Sequence, residues 1–248
     1  MKALITGASS GIGRDIARYL SEKKGYNLVI VARRVELLEG LKKELNTNVE
    51  IVNLDISLRE NCIKLFEEHK DIDLLVNNAG FGLFGHFYDL DLEKELSMID
   101  TNILAVHVLT KLYLQEMRKK NSGYILNVAS IAGFMSGPLM ATYYATKNYV
   151  VALSRAVNKE LKKEKSKVKV SVLCPGPVKT NFNNVAGVKF GLSSLSSEYV
   201  AKYAVDKMLA GKEVIVPGFT IKALKCINKI LPSNLMLEGT YHMQKHKN

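Results

Sequence analysis

The sequence predicts an α/β protein built on a doubly wound parallel β-sheet flanked by helices, in a single domain, and three observations carry that prediction. A glycine-rich turn, Thr6-Gly7-Ala8-Ser9-Ser10-Gly11-Ile12-Gly13, joins an apolar strand (Ala3-Leu4-Ile5) to a helix. Strand candidates such as Asn27-Leu28-Val29-Ile30-Val31-Ala32 are continuous apolar runs, the pattern of a sheet covered on both faces. Strand and helix patterns then alternate along the chain. With 248 residues, 47% of them hydrophobic, the chain can bury a large core and sits at the upper end of single-domain sizes.

Taken in order, the three glycines let the backbone bend sharply and present its N–H groups, while the next helix points its positive end at any anion seated there. A phosphate is the natural occupant. That helix reads from Ile12 to about Lys24, with Ile16, Ala17 and Leu20 on one face and Gly25 as its stop. The second strand closes a βαβ unit, whose crossover is expected to be right-handed. A helix from about Glu36 to Leu45, a strand Glu50–Leu54, a helix Leu58–His69 and a strand Asp73–Val76 continue the pattern. Asp55 and Asn77-Asn78-Ala79-Gly80 stand just beyond strand ends, at the carboxyl edge where open α/β sheets bind ligands.

A long helical stretch from about Leu92 to Lys119 holds Asn102 among Ile99, Ile103, Ala105 and Val106. A buried amide must find hydrogen-bond partners there, and a local break in the helix is one way to supply them. A strand Gly123–Ala129 ends at Ser130; an apolar loop, Ile131–Met140, leads to a helix carrying Tyr143 and Lys147. Four residues apart, these two side chains share a helix face. Bringing a phenol to neutrality requires about 4 kcal/mol of differential stabilisation of the phenolate. An ammonium about 4 Å away in a partly buried site supplies that much, which makes the pair a candidate proton donor and acceptor.

At the end of the second strand, where an NAD-binding unit offers a carboxylate to the adenosine ribose, this chain has Arg33 and Arg34. Guanidinium groups grip a 2′-phosphate that a carboxylate would repel, so NADP(H) is expected over NAD. The blander reading is two arginines capping a strand in water.

The net charge of +11 falls largely on lysines at helix ends and in the tail, without the interleaved aromatics of a nucleic-acid surface, so no nucleic-acid partner is expected. Cys62, Cys174 and Cys226 are far apart and fit reduced thiols, and the five histidines are dispersed. His242 and His246 share helical spacing, but a solvated polar tail explains them, and no metal site is expected. The first strand begins almost at Met1 and no apolar run is long enough for a bilayer, so a cytoplasmic protein is expected.

Together, Thr6-Gly7-x-x-x-Gly11-x-Gly13, Asn77-Asn78-Ala79-Gly80, Asn102, Ser130, Tyr143-x-x-x-Lys147 and Pro175-Gly176-Pro177-Val178-Lys179-Thr180 closely resemble the short-chain dehydrogenase/reductase family. The resemblance implies a Rossmann-type fold in which Gly7, Ser9, Ser10, Gly11, Ile12 and Gly13 form the turn against a pyrophosphate. It implies that Asp55 contacts the adenine, that Asn77, Ala79 and Gly80 flank the adenosine ribose and stabilise the sheet, and that Pro175, Gly176, Val178 and Thr180 lie along the nicotinamide end. Tyr143 would be the general acid and base. Lys147 would hold the nicotinamide ribose and keep the phenol acidic, Ser130 would bond the substrate oxygen, and Asn102 would anchor a water linked to Lys147. A homodimer or homotetramer joined through the helices bearing Asn102 and Tyr143 is also implied.

The catalytic and cofactor domain is expected to span residues 1–219, its last strand being Glu213–Pro217. Residues 220–248 form a basic extension in which Ile221, Leu224, Ile227 or Asn228, and Leu231 recur at helical spacing before Pro232. Packing over the site or on another subunit is expected, with contact to a membrane surface as the alternative. The segments Phe81–Phe87, Phe134–Met140 and Phe182–Leu195, rich in Phe, Leu, Met and Gly, suit a lipophilic carbonyl or alcohol substrate. Two other functions compete with an NADP(H)-dependent oxidoreductase. A non-catalytic NADPH sensor has no need of Ser130, Tyr143 and Lys147 together, and a nucleotide-sugar epimerase or dehydratase needs a larger C-terminal substrate domain.

Overall fold

The first strand, β1 (Lys2–Thr6), pairs in parallel with both β2 (Asn27–Ala32) and β4 (Leu74–Asn77), so it lies near the middle of the sheet. A computed structural model describes residues 1–180, 182, 194–227 and 231–245. Beyond β2 lies β3 (Val49–Asn53), and beyond β4 lie β5 (Tyr124–Val128), β6 (Lys169–Leu173) and, among the described residues, the short edge strand β9 (Val214–Ile215). The order is β3-β2-β1-β4-β5-β6-β9, all parallel. A separate two-stranded ladder joins β7 (Val178–Lys179) to β8 (Leu195–Ser196).

Helix α1 (Gly11–Lys24) ends where the sequence places its stop: Gly25 adopts φ 67° and the N–H of Tyr26 returns to Leu20 O at 3.1 Å. Helices α2 (Val35–Glu44) and α3 (Arg59–Glu68) fall within a residue or two of the expected bounds, and the helix carrying Tyr143 and Lys147 is α6 (Ala141–Lys163). The long helix expected from Leu92 is interrupted as its buried amide suggested. It consists of α4 (Leu92–Ile99), a π-helical turn (Asp100–Leu104) and α5 (Ala105–Lys120), with Asn102 in the π turn.

Two cores explain the continuous apolar strands. Ala3, Ile5, Leu28 and Ile30 enter one with Ile16, Ala17 and Leu20 of α1, whereas Leu4, Val29 and Val31 enter the other with Leu109 and Tyr113 of α5. Sheet residues of both parities are therefore buried, and polar alternation has no place. The sequence reading does not include β6 or the helix that follows β8. Ser171 gives β6 a polar centre, buried because its hydroxyl donates to Lys212 O at 2.7 Å. Helix α7 (Ser197–Leu209) packs Val200, Ala201, Ala204 and Val205 into the α1 core.

The chain closes with α8 (Phe219–Ile227) and α9 (Ser233–Lys245). His242 is exposed, as expected, but it sits on a helix whose other side buries Thr240 and Gln244. His242 pairs with Glu238 one turn earlier, while His246 and Asn228 lie outside the described residues. Among the described residues no helix is long and apolar enough to cross a membrane, and no three His, Cys, Asp or Glu side chains converge as a metal site.

Candidate active site

The strand order reverses at β1 and β4, and the turns that leave these two strands meet at their carboxyl ends. Thr6 Oγ1 accepts from Asn78 N at 3.0 Å and Ala79 N at 3.2 Å, and Asn78 Nδ2 donates to Thr6 O and Gly7 O, both at 3.1 Å. The contact is too close for side chains. A Cβ on Gly7, whose φ is 65°, would lie 2.7 Å from Ala79 Cα, and one on Gly13 would lie 2.3 Å from Asn78 Nδ2.

The glycine turn opens α1 toward a groove. Ser10 is the extended N-cap residue, but its hydroxyl makes no capping bond and the first turn carries no acidic residue. The first N–H groups of the helix and its positive end are thus available to an anion. Arg34 Nη2 donates to Ser9 Oγ at 3.1 Å and to Ser10 Oγ at 3.3 Å, which adds a guanidinium and two hydroxyls to the same corner. Arg33 Nη1 stands 3.5 Å from Asp55 Oδ2. Burial alone would raise the Asp55 pKa, but hydrogen bonds from Ser57 and the Arg33 charge outweigh it and hold the carboxyl below its ordinary range. This donor set fits the phosphates of a dinucleotide.

At the other end of the groove stand Ser130, Tyr143 and Lys147. Ser130 follows β5 and caps a short 3₁₀ turn (Ile131–Phe134), its Oγ accepting from Ala132 N at 3.2 Å. Lys147 Nζ donates to Val128 O at 3.0 Å and lies 5.9 Å from the centre of the Tyr143 ring. Burial is the main force on both groups. It raises the Tyr143 pKa, against a hydrogen bond with Ser130 that lowers it, and it lowers Lys147 to about 8, with Cys174 acting in the opposite direction.

In the chain by itself, burial is the largest influence on Tyr143. The ammonium points to a main-chain oxygen, and each buried group disfavours its own charged form.

One cavity of about 1220 Å³ joins the two ends. Of the expected site residues, Gly7, Ser9, Ser10, Gly11, Ile12, Arg33, Arg34, Asp55, Ala79 and Gly80 line it, as do Ser130, Tyr143, Lys147, Pro175, Gly176, Val178 and Thr180. Three expected residues do not line it. Gly13 is buried against Asn78, where it allows the close approach described above. Asn77 faces the sheet interior, its Nδ2 donating to Asn127 Oδ1 at 2.9 Å and Thr110 Oγ1 at 3.0 Å, rather than flanking a ribose.

Asn102 is the third. Its Oδ1 accepts from Phe81 N at 3.1 Å, and its Nδ2 donates to Phe81 O at 2.9 Å and Thr146 Oγ1 at 3.1 Å. The amide fixes the Phe81 backbone to the catalytic helix. Gly80 sits in the angle between these groups, where a Cβ would lie 2.7 Å from Asn102 Oδ1 and 3.3 Å from Lys147 Nζ.

The apolar half of the cavity is only partly as expected. Phe81, Met135, Met140 and Phe182 line it, whereas Phe87 is exposed and residues 183–193 lie outside the described residues. Tyr144, next to the candidate tyrosine on α6, lines this same cavity. Its ring meets Tyr143 edge-on, 6.1 Å between centroids. Leu224 of α8, one of the residues at helical spacing in the C-terminal extension, and Met236 of α9, beyond Pro232, complete the wall.

Comparison with known proteins agrees with this layout. An uncharacterized oxidoreductase of Staphylococcus epidermidis is 33% identical over 225 residues, covering 89% of this chain and 96% of that protein. The NADP-dependent 3-hydroxy acid dehydrogenase of Schizosaccharomyces pombe is 35% identical over 191 residues, 73% of each chain. A short-chain dehydrogenase of Sphingobium yanoikuyae, solved in complex with NADPH, superposes with a TM-score of 0.82 at 27% identity, covering 95% of this chain and 94% of that one. The family profile described as short chain dehydrogenase matches residues 1–188. From motif order, sheet order and these likenesses together, the chain belongs to the short-chain dehydrogenase/reductase family of oxidoreductases.

Proposed function

We propose that the protein is an NADP(H)-dependent oxidoreductase that interconverts a carbonyl and an alcohol on a lipophilic small molecule, with Tyr143 as general acid and base. The observation that carries this reading is the grouping of Ser130, Tyr143 and Lys147 on the wall of a cavity whose far corner holds Arg33 and Arg34. When bound, a nicotinamide supplies or accepts the hydride. The chain's own residues do the rest.

The first-turn N–H groups of α1 and the hydroxyls of Ser9 and Ser10 hold phosphate oxygens, and Arg34, with Arg33, grips a 2′-phosphate through charge-assisted hydrogen bonds. Ser130 donates to the substrate oxygen as negative charge grows there, and Tyr143, kept protonated by burial, delivers the proton to that oxygen. In alcohol oxidation the same phenol takes the proton back. Lys147, held by Val128 O, orients a ribose hydroxyl and stabilises negative charge on the phenol oxygen.

Phe81, Met135, Met140 and Phe182 exclude water from the reacting centre and favour an apolar substrate. Assembly as a homodimer or homotetramer through the helices bearing Asn102 and Tyr143 belongs to the same proposal, and light scattering that reports a monomer at working concentration would remove it. The function is tested by following NADPH and NADH absorbance against a carbonyl library that includes long-chain ketones, aldehydes and charged polar compounds. Turnover of lipophilic carbonyls with NADPH preferred is the expected result; turnover of polar compounds alone, or of none, overturns it.

A further inference from the structure

The last two helices touch the site at two separate points. On α8, Ile221 packs onto Gly176 so closely that a Cβ on that glycine would lie 2.4 Å from Ile221 Cδ1. On α9, Gln244 is buried and its Nε2 donates to Tyr144 Oη at 2.7 Å. Tyr144 is itself fixed from the other side. Its ring lies flat on Gly137, where a Cβ would come within 2.5 Å of three ring carbons. Between the two contact points, Leu224, Leu235, Met236 and Thr240 face the cavity that holds Tyr143.

We propose that the Gln244–Tyr144 hydrogen bond is a latch that fastens α8 and α9 over the substrate half of the cavity, making Leu224, Leu235 and Met236 the wall that selects substrates by the length of their apolar body. This rests on the oxidoreductase reading of the site. Tyr144 directly follows the catalytic tyrosine on α6, so the latch ties the wall to the same rigid helix that carries the proton donor. A compound with an apolar body long enough to reach the wall gains from it; a short one, reacting at the same tyrosine, never meets it. Gln244 is a positioning residue in this scheme, acting through α9.

The geometry of the latch also sets its weakness. Gln244 Oε1 is buried without a partner, and removing the amide alone leaves the Tyr144 hydroxyl unpaired as well. A buried polar group stranded in this way is costly, whereas replacing both partners by apolar groups of similar shape is nearly neutral. The single variant is therefore expected to be costly and the double variant nearly neutral.

Binding rather than turnover tests this, so that it is separable from the reading it rests on. Calorimetry with 2-decanol and 2-butanol, with and without NADP⁺, measures the length preference of the whole chain. The wild type is expected to bind 2-decanol at least tenfold tighter, since each methylene that reaches an apolar wall adds roughly three- to fourfold. In Gln244→Leu the ratio narrows to below threefold, the affinities for 2-butanol and NADP⁺ stay within twofold, and amide exchange across residues 233–245 speeds up.

The double variant Tyr144→Phe/Gln244→Leu recovers most of the ratio, and Met236→Ala, which leaves the latch intact, lowers it. A full ratio in Gln244→Leu, or none in the wild type, overturns the proposal. If Gln244→Leu does not fold, an unchanged ratio in Met236→Ala overturns it instead. Loss of the ratio in these variants while no carbonyl is turned over leaves the latch standing and removes the oxidoreductase reading.

Discussion

Lys147 Nζ donates to Val128 O at 3.0 Å, so the ammonium beside the catalytic tyrosine is anchored to the end of the strand that leads to Ser130. The arrangement fixes Lys147 and Ser130 relative to one another through β5. It also leaves the cation with a neutral partner, which is why burial can draw its proton away at ordinary pH.

In the ligand-free protein Lys147 is cationic below a pH of about 8 and neutral above it. kcat/KM for carbonyl reduction, which reports the free enzyme, is expected to fall with unit slope above that pH. Lys147→Met should lose this limb along with most of the activity. The folded chain releases this proton near pH 8 and the unfolded chain keeps it to about 10.5, so Lys147 costs stability below pH 8 and the cost is relieved as pH rises through that window. Denaturation of wild type and Lys147→Met at pH 7 and pH 10 measures the difference; a gap independent of pH would refute the account.

Tyr143→Phe removes the proton donor without changing the shape of the wall. A fall in kcat of roughly 10²- to 10⁴-fold is expected, with NADPH affinity unchanged within about twofold. Ser130→Ala, which removes one donor to the developing oxyanion, should lower kcat by roughly 10²-fold. Stopped-flow hydride transfer separates these from slow product release, and retained turnover in Tyr143→Phe would sink the mechanism.

Arg34 reaches both Ser9 and Ser10 at the mouth of the glycine turn. Arg34→Ala is expected to weaken NADPH by roughly tenfold or more, the loss of charge-assisted hydrogen bonds, while NADH affinity changes little. Asp at Arg33 and Arg34 together should reverse the preference. Fluorescence titration with the two nucleotides decides this, and equal weakening of both would mean that the arginines do not read the 2′-phosphate.

Asn102 makes three hydrogen bonds with the Phe81 backbone and Thr146. Asn102→Ala strands the Phe81 amide and carbonyl in a half-buried site, at a cost of roughly 1 to 3 kcal/mol for each group left unsatisfied. A lower thermal midpoint and a lower kcat with little change in KM are expected. Calorimetry showing an unshifted midpoint would mean that water takes over both bonds.

Gly13→Ala drives a methyl group into Asn78 and the Gly7 carbonyl, the clasp between the turns that leave β1 and β4. Loss of soluble folded protein, or a destabilisation of about 1 to 3 kcal/mol from overpacking, is expected and is measured by urea unfolding. Gly25→Ala makes a useful contrast: nothing lies near its Cβ position, so any cost comes from its left-handed φ alone.

Much of this protein was legible in one dimension because the relevant physics is local. Continuous apolar strands report two covered sheet faces, Gly7 and Gly11 report a turn with positive φ, and the spacing of Tyr143 and Lys147 puts them on one helix face whatever surrounds them. Even the break at Asn102 followed from a polar amide set in an apolar run.

What only the tertiary structure decided depends on partners distant in sequence. Asn77 turns inward because Asn127 and Thr110 are there to meet it, and Gly13 faces Asn78 rather than the groove. Burial, set by the whole assembly, is the main force on both Tyr143 and Lys147. The hydrogen bond from Gln244 to a tyrosine one hundred positions earlier decides where the C-terminal extension packs. Spacing fixes which residues share an element; desolvation and long-range hydrogen bonds exist only once the elements are packed.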